Sequence, residues 1–330
     1  MIAFVLRIAL SCAVWAFAAV APAQVPAPAP PPAPATATAT AFKAPLATKA
    51  PLLGIARAGS RLVAVGDYGV ILLSDDEGKT WRQAKVVATR AMLTAVAFSD
   101  AQRGWAVGHG GTVLQTADGG ETWTLNRAAG NDVALLAVWF ANAEHGIAAG
   151  AFGFAMSTRD GGRTWKEVTV GAGDDHDRHL NAIFALPNGP LFIAAEAGTV
   201  FRSLDDGRTW ETLRLPYNGS LWGGMALADG AAIVFGMRGH ALRSTDQGRS
   251  WADVPTGTEQ SWSGGRQFAD GTIVLVGLGG AVGRSTDAGQ SFQTTIRPER
   301  QTLSAVDEGA PGQSVIVGLG GIAATQPAAR

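Results

Sequence analysis

An eight-residue box of the form Ser/Thr-x-Asp-x-Gly-x-Thr/Ser-Trp, with Phe for Trp in the last copy, returns six times along the 330-residue chain, and its spacing limits the possible folds more than any other feature. The copies are SDDEGKTW at Ser74, TADGGETW at Thr116, TRDGGRTW at Thr158, SLDDGRTW at Ser203, STDQGRSW at Ser244 and STDAGQSF at Ser285. Their starts lie 42, 42, 45, 41 and 41 residues apart. Self-similarity at such a period marks supersecondary units that bury their apolar faces only by packing on their neighbours.

Each period resolves into four short strands, A to D. Before every box an apolar run crosses a glycine-rich turn, as in VAVGDYGVILLS, IVFGMRGHALRS and VLVGLGGAVGRS, and a seventh such run, VIVGLGGIAATQ, has no box after it. These runs are strands B and C. A further apolar run and a polar hairpin, as in LTAVAFSDAQRG, supply strand A, and the residues after the box supply strand D. Strand A is expected to start near Leu52, Leu93, Leu135, Leu180, Leu221, Ser261 and Thr302. Four strands in about 42 residues is the size of a propeller blade. The 43 glycines and a charged content of only 16% suit tightly turned strands and leave no convincing amphipathic helix. The expected fold is therefore all-β, a seven-bladed β-propeller of four-stranded blades. Strand D occurs only six times after a box, but KAPLATKAPLLGIARAG from Lys43 aligns with AKVVATRAMLTAVAFSD from Ala84. Residues near Phe42 to Lys49 are thus predicted to form an N-terminal strand that completes the last blade and removes the exposed edges of an open array.

The box reads as masonry. Its hydroxyl and carboxylate satisfy turn amides that the ladder leaves unpaired, and its glycine takes backbone angles closed to other residues. Asp76, Asp118, Asp160, Asp205, Asp246 and Asp287 are assigned as turn formers, and Trp81, Trp123, Trp165, Trp210 and Trp251, with Phe292 in the sixth place, as core residues. An active site needs one convergent constellation, not six equivalent ones. A calcium loop would need alternating carboxylates and a terminal glutamate, which the boxes lack.

Residues 1–23, MIAFVLRIALSCAVWAFAAVAPA, read as an export signal: an early arginine, an apolar run from about Ile8 to Val20 and a small-residue cleavage site near Ala23. That run is shorter than the roughly 20 residues that a bilayer-spanning helix needs. The one cysteine, Cys12, falls inside it, so the mature chain is expected to carry no thiol, disulfide or thiolate metal site. Residues 24–41 are a proline, alanine and threonine tract with almost nothing to bury, expected to be a disordered linker, and 42–330 are the propeller. A net charge of −1 gives no support to nucleic-acid or anionic-membrane attraction. The expected location is the periplasm, with no direct membrane insertion after cleavage.

The SxDxGxTW series is similar to the Asp-box (BNR) repeats of sialidases, of sortilin-like receptors and of the photosystem II stability and assembly factor family. With its 41 to 45 residue period, the VGxxGxxxxS turn before each box and seven units, the chain from residue 42 to 330 most resembles the last of these. That resemblance implies a non-catalytic scaffold or assembly factor that binds subunits of a membrane complex. Relatives of this kind occur among exported proteins of bacteria that do not photosynthesise, often encoded beside membrane transporters. The expected partner is a membrane protein or transporter complex subunit, the expected state a monomer, and no cofactor or metal is expected.

In a propeller the B–C turns and the D–A connections share one face, and the boxes share the other with the A–B hairpins. Candidate partner-binding residues on the first face are Arg90, His109, Glu196, Tyr217, Arg238, Trp262, Arg297 and Arg300, since arginine and aromatic side chains anchor interfaces. The turns and connections would also display Asp67, Tyr68, Phe152, Asp132 and Glu259. The longest connection, GAGDDHDRHLNAI, gathers Asp174, Asp175, His176, Asp177 and His179, a set that a divalent ion could use if its geometry were fixed. The alternative function is a sialidase-like glycoside hydrolase or a carbohydrate-binding propeller. Hydrolysis would need three arginines, a tyrosine and a glutamate in one pocket, for which Arg90, Arg238, Arg300, Tyr217 and Glu196 are the available residues.

Overall fold

A computed structural model of the protein describes residues 39–130 and 132–323, all within one compact unit, Thr38–Arg330. The export signal assigned to 1–23 and most of the 24–41 tract lie outside the described residues. Those described fold into seven sheets whose A to D strands pair antiparallel, with the A strand of each blade packed beside the A strand of the next. That of blade 7, Leu303–Glu308, packs beside that of blade 1, Leu52–Ala58, so the ring is closed. The seven A strands start at Leu52, Leu93, Leu135, Leu180, Leu221, Trp262 and Leu303, within one residue of expectation. In every blade a bulge interrupts A–B pairing between the first and third residues of strand A.

Strand B is the middle of the wall. Gly104–Gly108, Gly146–Gly150 and Ile273–Gly277 are buried at every residue because both faces are covered by the adjoining blades, which is why these runs read as continuously apolar. Between blades 1 and 2, for example, Val63, Val65, Ile71 and Leu73 pack against Ala106, Leu114 and Trp123.

The box face is built as the sequence implies. Ser74 Oγ donates to Asp76 Oδ1 at 2.8 Å and accepts the Gly78 amide at 2.8 Å, while Asp76 accepts the Thr80 amide at 2.9 Å and hydroxyl at 2.6 Å. The pattern recurs in the other boxes, as around Asp160 and Asp246. Glycine is needed at Gly248 twice over: its φ is +82°, and a Cβ there would meet Phe192 of the preceding blade at 2.5 Å. The tryptophans divide into two kinds. Trp123 is fully buried, but Trp81, Trp165, Trp210 and Trp251 are half-buried lids at the margins of the inter-blade clusters. Trp81 and Trp251 donate their indole N–H to the carbonyls of Gly78 and Gly248.

These donors hold the box carboxylates ionised. The hydroxyls of Thr80, Thr209, Ser250 and Ser285 and the amide of Thr164 lead in lowering Asp76, Asp205, Asp246, Asp287 and Asp160 to about 2. At Asp118 burial pushes upward, but the Thr122 hydroxyl and amide outweigh it and the carboxyl stays below its usual range. A carboxyl with a pKa lower in the folded than in the unfolded chain stabilises the fold above its ordinary value of 3.8 and loses that contribution as pH falls toward 2. The midpoint of urea unfolding is therefore expected to hold level from about pH 7 to 5 and to drop between about pH 4 and 2. Replacing Asp205 and Asp246 by Asn should flatten part of that drop, and an unchanged pH profile would show that the box carboxylates do not contribute in this way.

Closure differs from expectation. Among the described residues the last blade has three strands, Leu303–Glu308, Ser314–Gly318 and Gly321–Ala323, and residues 42–49 add no fourth. Instead Ala47–Lys49 is one 3-10 turn packed against the last of these strands, with Ala47 buried beside Leu52, Ala64, Leu72 and Val317. The Thr48 carbonyl sits 2.0 Å from where a Cβ on Gly321 would be, the relation that the Thr89 carbonyl bears to Gly69 and the Thr258 carbonyl to Gly239. The N-terminal segment thus supplies the missing D–A connection of blade 7 in the register predicted, without a D strand. Two causes are visible. Pro45 and Pro51 lack the N–H groups that a ladder uses, and the residues before them are drawn to blade 1. There the Ala41 amide donates to the Val87 carbonyl, Gln83 bonds Phe42 and Ala44, and Arg90 both donates to the Thr40 carbonyl and covers the Phe42 ring at 3.7 Å. Thr40 and Ala41, read from composition as the end of the linker, thus make contacts with the propeller.

A clasp on the inner strands completes the ring. Arg57 of blade 1 meets the buried carboxylate of Asp307 in blade 7 at 3.0 Å and also donates to the Glu308 carbonyl. Blade 2 gains a strand that the sequence did not announce: Val86–Val87 runs parallel to Thr122–Trp123 as a fifth member of the sheet.

Candidate functional site

The B–C turns and D–A connections do share a face, since each turn glycine lies against a connection backbone, as in Gly69 on Thr89, Gly198 on Tyr217 and Gly239 on Thr258. In four turns the residue before that glycine is left-handed although it carries a side chain: Tyr68 (φ +50°), Phe152 (+54°), Ala197 (+52°) and Arg238 (+54°). This region costs a bulky residue of order 1–3 kcal/mol and persists where its surroundings over-determine it. At Phe152 and Arg238 the next connection does so, whereas the Tyr68 amide is held at 2.8 Å by Oδ1 of its own neighbour Asp67. His179 Nδ1 accepts the Phe152 amide at 3.1 Å, which leaves the ring proton on Nε2, and Ser261 Oγ accepts the Arg238 amide at 3.1 Å. The strained turns lift their side chains clear of the surface: Tyr68 is 69% exposed, Phe152 is 68% exposed, and Arg238 is exposed as well.

Six of the eight candidate residues reach this face. Arg90 is exposed but engaged with Thr40 and Phe42. His109 is exposed, its amide bonded to the Met92 carbonyl. Glu196 accepts the His179 amide at 2.9 Å. Arg300 is exposed at φ +50°, its amide on the Arg297 carbonyl. Tyr217 stands beside Arg238 in a cleft of about 360 Å³ completed by Asn218, Gly219, Met237 and His240. Its hydroxyl donates to the Met237 carbonyl at 2.9 Å, and burial pushes its pKa up while Arg238 pulls the other way.

Two candidates are not surface residues. Trp262 is fully buried and its indole donates to the Gly239 carbonyl at 3.1 Å, because it opens strand A in the column that six leucines fill elsewhere. Arg297 is 6% exposed, its guanidinium 3.5 Å from Glu299 and its amide on the Gly280 carbonyl, so it builds the connection and displays no charge. Conversely, the exposed apolar side chains of Phe42, Leu46 and Leu319 were not anticipated. Their signal was faint: Leu46 and Leu319 become surface residues only through the closure geometry.

The acidic connection is folded on itself. Asp175 is buried with Arg178 at 2.7 Å and Arg214 alongside; burial raises its pKa, and the two arginines more than offset this. His176 pairs with Asp177, and His179 is committed to Phe152. No cluster of three or more His, Cys, Asp or Glu side chains poised for a metal occurs among the described residues. The cleft around Tyr217 holds one arginine and no carboxylate, so the hydrolase constellation is not assembled there.

Six regular aspartate turns on one face and a set of strained, exposed side chains on the other define an Asp-box propeller. The sequence profile of the family described as photosynthesis system II assembly factor YCF48 matches residues 128–295, and the chain belongs to that family. Among solved structures, "YCF48 bound to D1 peptide" is similar at 19% identity and a TM-score of 0.68, over 88% of this chain and 97% of that one. YCF48 from Cyanidioschyzon merolae is similar at 16% identity and a TM-score of 0.65, over 85% and 96% of the two chains. A streptogramin B lyase is similar at 16% identity and a TM-score of 0.71, over 85% and 94%. At these identities the likeness is one of fold. No curated protein sequence matches the chain.

Proposed function

We propose that the protein is an exported, non-catalytic assembly factor that holds an exposed segment of a membrane-protein subunit or transporter in the periplasm. The observation that carries this reading is the face on which strained backbone presents Tyr68, Phe152 and Arg238, with Arg300 in the same left-handed conformation on a connection of that face. Aromatic and arginine side chains fixed in advance bind a peptide without paying again for ordering. Family membership supports the reading, as does a related propeller solved with a peptide. Export rests on the character of residues 1–23. The test is affinity capture from detergent-solubilised envelope with the tagged protein, assayed in parallel for glycoside turnover. Recovery of a membrane protein without turnover is expected, and turnover with no membrane protein recovered would overturn the reading.

A further inference from the structure

We infer that the opposite face carries a second binding site, a recess at the box-face mouth of the central channel that takes a planar aromatic anion. The recess follows from a local break in the repeat. The fourth residue of strand A is Ile55, Val96, Val138, Ile183 and Val306 in five blades but Gly224 and Gly265 in blades 5 and 6. The fifth residues of the preceding blades fold over these glycines: a Cβ on Gly224 would meet Phe184 Cε1 at 2.3 Å, and one on Gly265 would meet Met225 Cε at 2.4 Å. Side chains that would otherwise fill the mouth lie back against the wall. They leave a cavity of about 540 Å³ spanning blades 3 to 6.

Its volume falls in the range of about 300–1,000 Å³ usual for small-molecule sites, and its lining sets one wall of apolar side chains among backbone and polar groups. Trp139, Phe184, Pro187, Met225 and Leu227 form that wall, and Arg266 is the one charged residue lining it. The half-exposed guanidinium of Arg266 is 3.8 Å from its nearest carboxylate, Asp307, which Arg57 already holds at 3.0 Å. Arg266 therefore only shares a carboxylate that Arg57 holds more closely and keeps half its surface open to an anion, while the indole and thioether accept a flat ring. The cavity lies at the ends of the A strands, away from the turns that carry Arg238, so the two sites are separate.

The test is fluorescence titration of the full-length protein with 1-anilinonaphthalene-8-sulfonate and with uncharged N-phenyl-1-naphthylamine. One saturable site is expected for the sulfonate. Arg266→Gln should weaken the sulfonate by about tenfold, the scale of one hydrogen bond to a charged group, and leave the neutral probe nearly unchanged. Ala226→Trp, which fills the recess, should abolish both, and charge reversal at Arg238 and Arg300 should affect neither. The inference fails if the native protein shows no saturable sulfonate binding, or if Arg266→Gln binds both probes as the native protein does. That second criterion stands even if Ala226→Trp does not fold.

Discussion

Deletion of residues 42–50 is expected to abolish the single cooperative melt of the propeller, or to lower its midpoint by roughly 10 °C or more, a loss of about 5 kcal/mol at this size. The segment is a connector and a lid at once. It places the Thr48 carbonyl against Gly321, buries Ala47 on Leu52, Leu72 and Val317, and leads into Pro51, whose carbonyl accepts the Asp67 amide at 3.0 Å. Without it the wall between blades 7 and 1 is bared, and only the inner strands Leu303–Glu308 and Leu52–Ala58, with the clasp of Arg57 and Asp307, hold the ring. Exposed strand edges and apolar walls of this kind promote association, so light scattering should rise with the loss of the melt. Deleting 24–38, which removes none of these contacts, should leave the melt in place. A variant lacking 42–50 that melts like the parent would mean that the segment closes nothing.

Trp262→Ala is expected to cost about 3–5 kcal/mol, the range for a fully buried tryptophan. The indole fills the wall between blades 5 and 6 beside Ile273, Leu275 and Phe292, lies against Gly283, and satisfies the Gly239 carbonyl. Trp262→Phe should recover most of the packing and lose only the indole's hydrogen bond, since Thr256 Oγ1 still donates to that carbonyl at 2.7 Å, so its cost should be much smaller. Partner capture by any folded fraction should be unaffected. Loss of capture with an unchanged thermal midpoint would return Trp262 to the binding surface.

This segment and this residue also show where the sequence can be read and where it cannot. Period and box fix the blade count and the strand starts, because an apolar run repeated at equal spacing has only one way to bury itself. Trp262 was legible in the same terms: it stands in the column of Leu52, Leu93 and Leu221, and the size of its side chain, not its position, suggested a surface anchor. Arg297 was not legible, since a buried guanidinium is recognised only by its neighbours. The closing strand was misread for a further reason. Alignment with blade 1 gave the right register for Thr48, but alignment carries no information on competing partners, and Gln83, Val87 and Arg90 outbid the last blade for residues 40–44. Of the display face, the sequence announced Tyr68, Phe152 and Arg238 by their place in the turns, whereas the left-handed backbone that lifts them out goes with the glycine after each and with an acceptor for each amide, on the next connection for Phe152 and Arg238 and on Asp67 for Tyr68.

The division of labour between the two faces is most directly tested by capturing the membrane partner with two charge-reversed variants matched for thermal stability. One carries Arg238→Glu and Arg300→Glu on the display face, and the other Arg163→Glu and Arg249→Glu beside the aspartate boxes. Retention should fall by about tenfold or more for the first and stay at the parent level for the second, since truncating interface arginines commonly costs over 1 kcal/mol. Equal retention by the first variant, or loss confined to the second, would contradict the assignment of binding to the face of strained turns.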